Sequence, residues 1–361
     1  MTDAIPPAAP PARRKRSARF IEIAAAAGVS TATVNRVLNE HGGVSAETSA
    51  RVIAAARQLG VPRVLPDTRH GLTRFDVVLA HSPTPYFRRL DLALTRTAQV
   101  LDRRILVHRH AVEATHAAQV HDILTRPRHR RDGLIVALHD TPAVRAALRQ
   151  QIGLGVPVVT LMSGIGDVPG LHYAGIDNLA AGRTAGHFIG RLAHRPGRVL
   201  RLTNTLDYRA HADRLRGCAE VLAERHPLID PGAPVPCHDD ADRCQLALRR
   251  ALVEARRDGV PLVGLYHSGA GSAGIAAELQ RLAPAERPVW VGHELSDEHR
   301  TLLHLGLLDL VIDQDPDGQI TGALHHLLHA SGHVEQPAPA EPNEFRLFCA
   351  ENIRGGPYLA G

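Results

Sequence analysis

The chain has 361 residues, of which 44% are hydrophobic and 22% charged, with four cysteines and a formal charge of +5. This composition excludes a wholly disordered, collagenous or coiled-coil chain, and the length suits two or three domains. No apolar run approaches the roughly 18 residues of a membrane span, and residues 1–19 hold no apolar stretch of a secretory signal. A cytoplasmic chain is therefore expected, with Cys218, Cys237, Cys244 and Cys349 as reduced thiols.

Of the 42 basic residues all but Lys15 are arginine, so the body cannot supply a Walker-type phosphate lysine or a Schiff-base lysine. The charge is uneven: residues 1–66 carry nine basic and four acidic side chains, and the remainder balances. A basic head on a neutral body points to a polyanion partner.

Residues 1–18 run from Pro/Ala into Arg-Arg-Lys-Arg and are expected to be a disordered basic tail. Residues 19–60 read as three short helices. The first runs from Phe20 and stops at Gly28. Ser30 caps a second, Thr31 to Leu38, and Ser45 caps a third that closes at Gly60 and Pro62. Residues 61–74, with Pro62, Pro66 and Gly71, read as a linker. From 75 to 335, β-branched apolar runs alternate with Ala/Leu/Arg-rich helical stretches, the pattern of parallel sheets covered by helices, and the length asks for two lobes. The expected strands are 76–80, 104–107, 133–137, 157–161, 173–176, 198–202, 262–266, 289–292 and 310–312. Residues 336–361 form a C-terminal segment. Ligands in such folds sit at the carboxyl ends of the strands, in the crevice.

The head carries the most specific pattern. Small Ala24 and Ala25 let two helices cross closely, and Gly28 supplies the backbone of a tight turn. Val29, Val34, Val37 and Leu38 form the inner face. That leaves Thr31, Ala32, Asn35 and Arg36 at the exposed start of the second helix, where a recognition helix meets base edges, with Ser30 and Thr33 able to donate to phosphate.

This stretch resembles the DNA-binding head of the lactose-repressor (LacI) family, with matches at Ala24, Ala27, Gly28, Val29, Ser30, Thr33, Val34, Arg36, Val37, Leu38 and Asn39. It departs at Asn35, where the family usually has Ser. The resemblance implies a helix-turn-helix domain whose DNA-binding residues are Ser30, Thr31, Ala32, Thr33, Asn35, Arg36 and Asn39. The linker departs further. Leu59-Gly60-Val61-Pro62-Arg63 is shortened, and Pro66 works against the family's hinge helix, for which Leu65 is the candidate minor-groove wedge.

The body is similar to the family's effector domain, itself like periplasmic sugar-binding proteins. The stretches that carry this are Ser82 to Phe87, Ala174 to Asn178 with Ala181-Gly182-Arg183, Arg214 to Gly217, Gly292 to Leu295, and Val311 to Pro316. The implied fold is an all-α helix-turn-helix head on a two-lobed α/β, Rossmann-like body. The implied effector is a sugar or polyol. Arg214 suits a forked pair of hydrogen bonds to a diol, and Asp140, Glu294 and Gln314 suit hydroxyls. Tyr86 or Phe87 suits a sugar's C–H face. His267 and Ser268 follow the strand where the family often has Asn.

Other chemistry has weaker support. Gly269-Ala270-Gly271-Ser272-Ala273-Gly274 is a formal G-x-G-x-x-G, and Glu294 lies where a ribose-binding acid would, so an NAD-binding enzyme is the alternative. The motif comes late in the chain, however, after several βα units. Binding of NAD would quench the single tryptophan, Trp290. His293-Glu294 is not H-E-x-x-H, because Asp297 takes the second histidine's place. His325 and His329 read as a helix face, and Cys237 and Cys244 lack zinc-knuckle spacing, so no metal is expected. Ser163-Gly164-Ile165-Gly166 is not a nucleophile elbow, and no catalytic constellation stands out. A transport protein would share the body but would need export and no head. An architectural DNA-binding protein would have the head but no small-molecule response. The expectation is a non-enzymatic, sugar-responsive regulator of repressor sign, acting as a homodimer on a pseudo-palindromic operator, because one head reads too few base pairs.

Overall fold

Residues 20–39, 43–59, 61, 72–113 and 116–358 are described by the computed structural model. The basic tail and the linker residues Leu65 and Pro66 lie outside the described residues. The chain divides into two units between Leu72 and Thr73.

In the first unit, α1 (Phe20–Ala27) ends at Gly28, whose φ of +65° makes the turn that a Cβ would strain. The Ser30 side chain caps α2 (Thr31–Leu38) by accepting from the Thr33 amide at 3.1 Å. Ser45 caps α3 (Ala46–Gln58) in the same way, accepting from the Thr48 amide at 3.3 Å. Ile23, Ala24, Ala27, Val34, Val37, Leu38, Val52, Ile53 and Ala56 close one apolar core.

The second unit has two sheets. The first lobe's sheet has the order β2-β1-β3-β4-β5: β1 (Thr73–Ala80), β2 (Ile105–Val112), β3 (Gly133–Ala137), β4 (Val158–Leu161) and β5 (Leu171–Ala174), all parallel. One face is covered by α4 (Pro85–Val100) and α12 (Pro316–Ala330), the other by α5 (Ala117–Thr125) and α6 (Pro142–Gly153). The second lobe's sheet has the order β12-β11-β10-β9-β6-β7. It is built from β6 (Gly197–Thr203), β7 (Ile229–Asp230), β9 (Leu262–His267), β10 (Val289–His293), β11 (Leu310–Asp313) and antiparallel β12 (Arg346–Phe348), with β8 (Pro234–Pro236) also on β6. Its faces carry α7 (Asn178–Leu192) with α8 (Arg209–Arg225), and α9 (Ala241–Asp258) with α10 (Ser272–Leu279) and α11 (Asp297–His304). β3 and β9 are buried along their whole length, which is why they read as unbroken apolar runs rather than alternating ones.

The chain crosses between the lobes three times: after β5, after β11 at Gln314–Asp315, and between α12 and β12. All nine expected strands have a counterpart, although β5 lies two residues earlier than the expected 173–176. β2 runs on through His108-Arg109-His110, where polarity suggested an end, because an edge strand with one neighbour tolerates polar side chains. The short β7, β8 and β12 carried no periodic signal.

Candidate functional site

The carboxyl ends of both sheets face one crevice of about 240 Å³. The first lobe lines it with the end of β1, the start of α4, His139 and Met162. The second lobe lines it with the segments that follow β6, β8, β9, β10 and β11.

Arg214 reaches the crevice because α7 and α8 touch backbone to backbone. A Cβ on Gly217 would lie 2.2 Å from the Leu179 carbonyl oxygen, and one on Gly182 would lie 1.9 Å from that of Arg214. The arginine and the glycine of Arg214-x-x-Gly217 thus form one device: the glycine permits the approach that delivers the guanidinium. Its Nε donates to Asn178 Oδ1 at 2.8 Å, and Nη1 donates to the Ser268 carbonyl at 3.3 Å. Nη2 has no partner, although the residue is 3% exposed. A buried donor without an acceptor costs about 1–3 kcal/mol, which an acceptor on a ligand would offset.

Glu294 stands opposite in a left-handed backbone conformation, φ +62°. The Gln314 amide donates to its Oε2 at 3.3 Å, and Gln314 Nε2 donates to its Oε1. Burial, aided by the nearby Asp313 carboxylate, pushes its pKa up to about 7. Gln314 Oε1 is itself buried without a donor. Asp313 is paired with Arg89 of α4, an ion pair between the lobes, and Arg89 also donates to the Leu295 carbonyl at 2.9 Å.

A bank of histidines lies behind these groups. Burial pushes His211 down to about 3 and His299 to about 4, and holds His293 well below its ordinary value. His299 is fixed between Ser272 Oγ at 2.7 Å and the Glu294 carbonyl at 2.5 Å. These imidazoles are neutral hydrogen-bonding groups at neutral pH.

Of the residues singled out in sequence, Tyr86, Phe87, Arg214, Ser268, Glu294 and Gln314 line the crevice. The Tyr86 hydroxyl is used internally, donating to Gln319 at 2.9 Å, and its ring lies edge-on to Phe87. Asp140 and His267 do not line it. Asp140 accepts from Arg145 Nε at 2.5 Å and from the Gly166 amide at 3.1 Å. His267 sits in the wall behind the glycine loop, 3.0 Å from the Ala270 carbonyl oxygen. Sequence reasoning missed Asn204, Tyr208, His211, Asp239 and His299. Their one available signal was position, since each follows the carboxyl end of a strand.

The glycine loop packs against protein. A Cβ at Gly274 would meet the Ala241 carbonyl at 1.7 Å, and one at Gly269 would meet Asp239 Oδ1 at 2.7 Å. The Ala270 amide already donates to Asp239 at 2.7 Å. Among the described residues no group of His, Cys, Asp and Glu could hold a metal, and no helix is long and apolar enough to cross a membrane.

On the head, Ser30, Thr31, Ala32, Asn35, Arg36 and Asn39 are exposed and Thr33 is half-buried. The Ser30 hydroxyl is engaged as the cap, and Asn39 Nδ2 donates to Asn35 Oδ1 at 2.6 Å, one helical turn apart.

Fold and crevice together define a two-lobed binding protein with a helix-turn-helix head on the same chain. Residues 75–332 match the periplasmic binding protein domain family, and residues 20–61 match the bacterial regulatory proteins of the lacI family. The chain belongs to the lacI family of regulators, with a periplasmic-binding-protein-like effector domain as its body. No curated protein sequence matches it. Similar solved structures include an ABC transporter solute binding protein from Burkholderia graminis in complex with D-arabinose (18% identity, 80% of this chain and 99% of that one, TM-score 0.67). Another is GanP, a glucose-galactose binding protein from Geobacillus stearothermophilus (16%, 79% and 99%, TM-score 0.66). A third is a solute binding protein from Bacillus halodurans with bound myo-inositol (15%, 78% and 96%, TM-score 0.65).

Proposed function

We propose that the protein is a transcriptional repressor that binds a pseudo-palindromic operator as a homodimer, with its DNA affinity set by a sugar or polyol in the crevice. One observation carries the effector half of this reading. Arg214 Nη2 lacks an acceptor and Gln314 Oε1 lacks a donor, both in the same crevice. A hydroxyl group is donor and acceptor at once, so adjacent hydroxyls satisfy both. The ligands named for the similar solute-binding structures, D-arabinose and myo-inositol, are of that class.

Coupling follows from the lobes. A ligand that touches both favours one lobe arrangement over another and shifts the head only by that difference in affinity. DNA must shift ligand affinity by the same factor. On the head, Arg36 and Asn35 are the base readers, and Thr33 with the basic tail contacts phosphate.

Thermal melts of the purified protein and of Arg214→Ala, with a panel of sugars, polyols and nucleotides, test this reading. A ligand at about 100 times its Kd adds roughly 2.7 kcal/mol, which moves the midpoint by several degrees. The expected result is stabilisation by one polyol class, lost in the variant. Stabilisation by NAD and by no polyol would overturn it and return the Gly269–Gly274 loop to consideration as a cofactor site.

A further inference from the structure

The crevice is lined by three carboxylates, Asp239, Glu294 and Glu298, against one guanidinium, that of Arg214. The nearest other cation, Arg89, is spent on Asp313, and His81 at the rim pairs with Glu113 at 2.9 Å. Among the described residues Glu294 receives hydrogen bonds only from Gln314, with His293 Nδ1 further off at 3.9 Å, and a carboxylate has about four lone-pair sites. Independently, Gln314 lines the crevice while 2% exposed, and its Oε1 is buried with no donor. Open acceptor sites thus remain on Glu294 and Gln314, and the lining holds more carboxylates than guanidinium groups.

We propose that the effector is an amine-bearing polyol, an amino sugar or aminopolyol, whose ammonium is received by Glu294 and Gln314 Oε1 while its hydroxyls meet Arg214. An ammonium offers three donors and no acceptor, which complements this corner and adds a charge-assisted contact. A phosphorylated sugar would bring negative charge to three carboxylates. A neutral sugar would bring no positive charge to Glu294 beyond that of Arg214. Burial pushes Asp239, Glu298 and Glu294 all above their ordinary pKa values.

This inference rests on the reading of the crevice as a polyol site, and the test separates the two. Affinities of the full chain for hexosamines, their N-acetyl derivatives, the parent hexoses and the hexose 6-phosphates are measured by calorimetry at pH 7, alongside Glu294→Gln. The N-acetyl compounds keep the shape and lose the charge. The expected outcome is a hexosamine bound about tenfold or more tighter than its N-acetyl and parent counterparts. In Glu294→Gln that preference collapses to within about threefold, with the folding of the variant checked separately by its circular dichroism spectrum and thermal melt. A parent hexose or a 6-phosphate bound as tightly as the hexosamine overturns the amine inference and leaves the polyol reading standing. Binding of no carbohydrate in any charge state overturns both.

Discussion

The imidazole of His139 stacks on the ring of Tyr208, centroids 3.9 Å apart and planes at 28°, although the two residues belong to different lobes. His139 follows β3 of the first sheet, and Tyr208 precedes α8 on the second, yet the tyrosine ring is buried in the first lobe's core. Both residues line the crevice, so the stack is a contact that opening of the lobes would break. An aromatic pair of this kind contributes about 0.5–1.5 kcal/mol beyond its burial. Tyr208→Ala is expected to enlarge the ligand-free radius of gyration in small-angle scattering while leaving the circular dichroism spectrum unchanged. An unchanged radius would mean that other contacts hold the lobes, among them Arg89–Asp313 and the Ala210 amide donating to Ser163.

The α7–α8 contact makes a paired prediction. Gly217→Ala places a methyl 2.2 Å from a carbonyl oxygen, so the helices must separate. We expect a loss of roughly 2–4 kcal/mol of stability, together with loss of effector affinity at a residue that touches no ligand. Gly153, at the end of α6, has open space around its Cβ position and no left-handed backbone. Gly153→Ala is expected to stabilise by up to about 1 kcal/mol. Denaturant melts decide both, and a neutral Gly217→Ala would remove this account of the Arg214-x-x-Gly217 motif.

Acid should destabilise the second lobe. Burial lowers His211, His267 and His299 to about 3, about 3 and about 4 from an ordinary 6.5. The unfolded chain binds these protons first, so stability is complete above about pH 6.5 and falls as the pH drops towards 4, by up to about 1.4 kcal/mol per pH unit for each imidazole. Glu294 acts in the opposite sense, since its pKa rises on folding from 4.5 to about 7 and stability is lost as the pH rises through that window. Three histidines outweigh one carboxylate, and the calorimetric midpoint should drop between pH 6.5 and 5. A flat profile there would contradict neutral, buried imidazoles.

On the head, Arg36 is exposed on α2. If it reads a base, Arg36→Ala should weaken operator binding by about 1–3 kcal/mol and relax selection at one position per half-site. Selection of duplexes from a random pool shows this directly, and recovery of the same sequence would assign Arg36 to phosphate if affinity falls, and to no contact if affinity is unchanged.

Much of this was legible in the sequence, for identifiable reasons. Fully buried parallel strands announce themselves as apolar runs, and Ser30 and Ser45 mark their helices because a cap needs a side-chain oxygen at that position. Arg214 was legible through its glycine. The misplacements share one cause, because a strand-end position does not say which way a side chain points. Asp140 turns to Arg145, and His267 turns behind the loop to Ala270 and Ser272. Glu294, Asp239 and Asp315 adopt left-handed backbone that nothing in the residue types announces. The His139–Tyr208 stack joins residues far apart in sequence, beyond any local pattern.

The position of α12 bears on how the molecule is made. Ile320, Ala323, Leu324 and Leu327 complete the core beneath β1, β3 and β4, and Gly133 lacks a side chain where a Cβ would stand 2.8 Å from Leu327. Yet these residues are translated after nearly all of the second lobe. The lobe begun first on the ribosome is therefore completed only after nearly all of the other has been made. It must wait, with one face of its sheet bare, until the inserted lobe has emerged. Cutting the chain after β5 would not release a half-molecule able to stand alone, whereas splicing residues 316–330 directly behind it would supply the missing face.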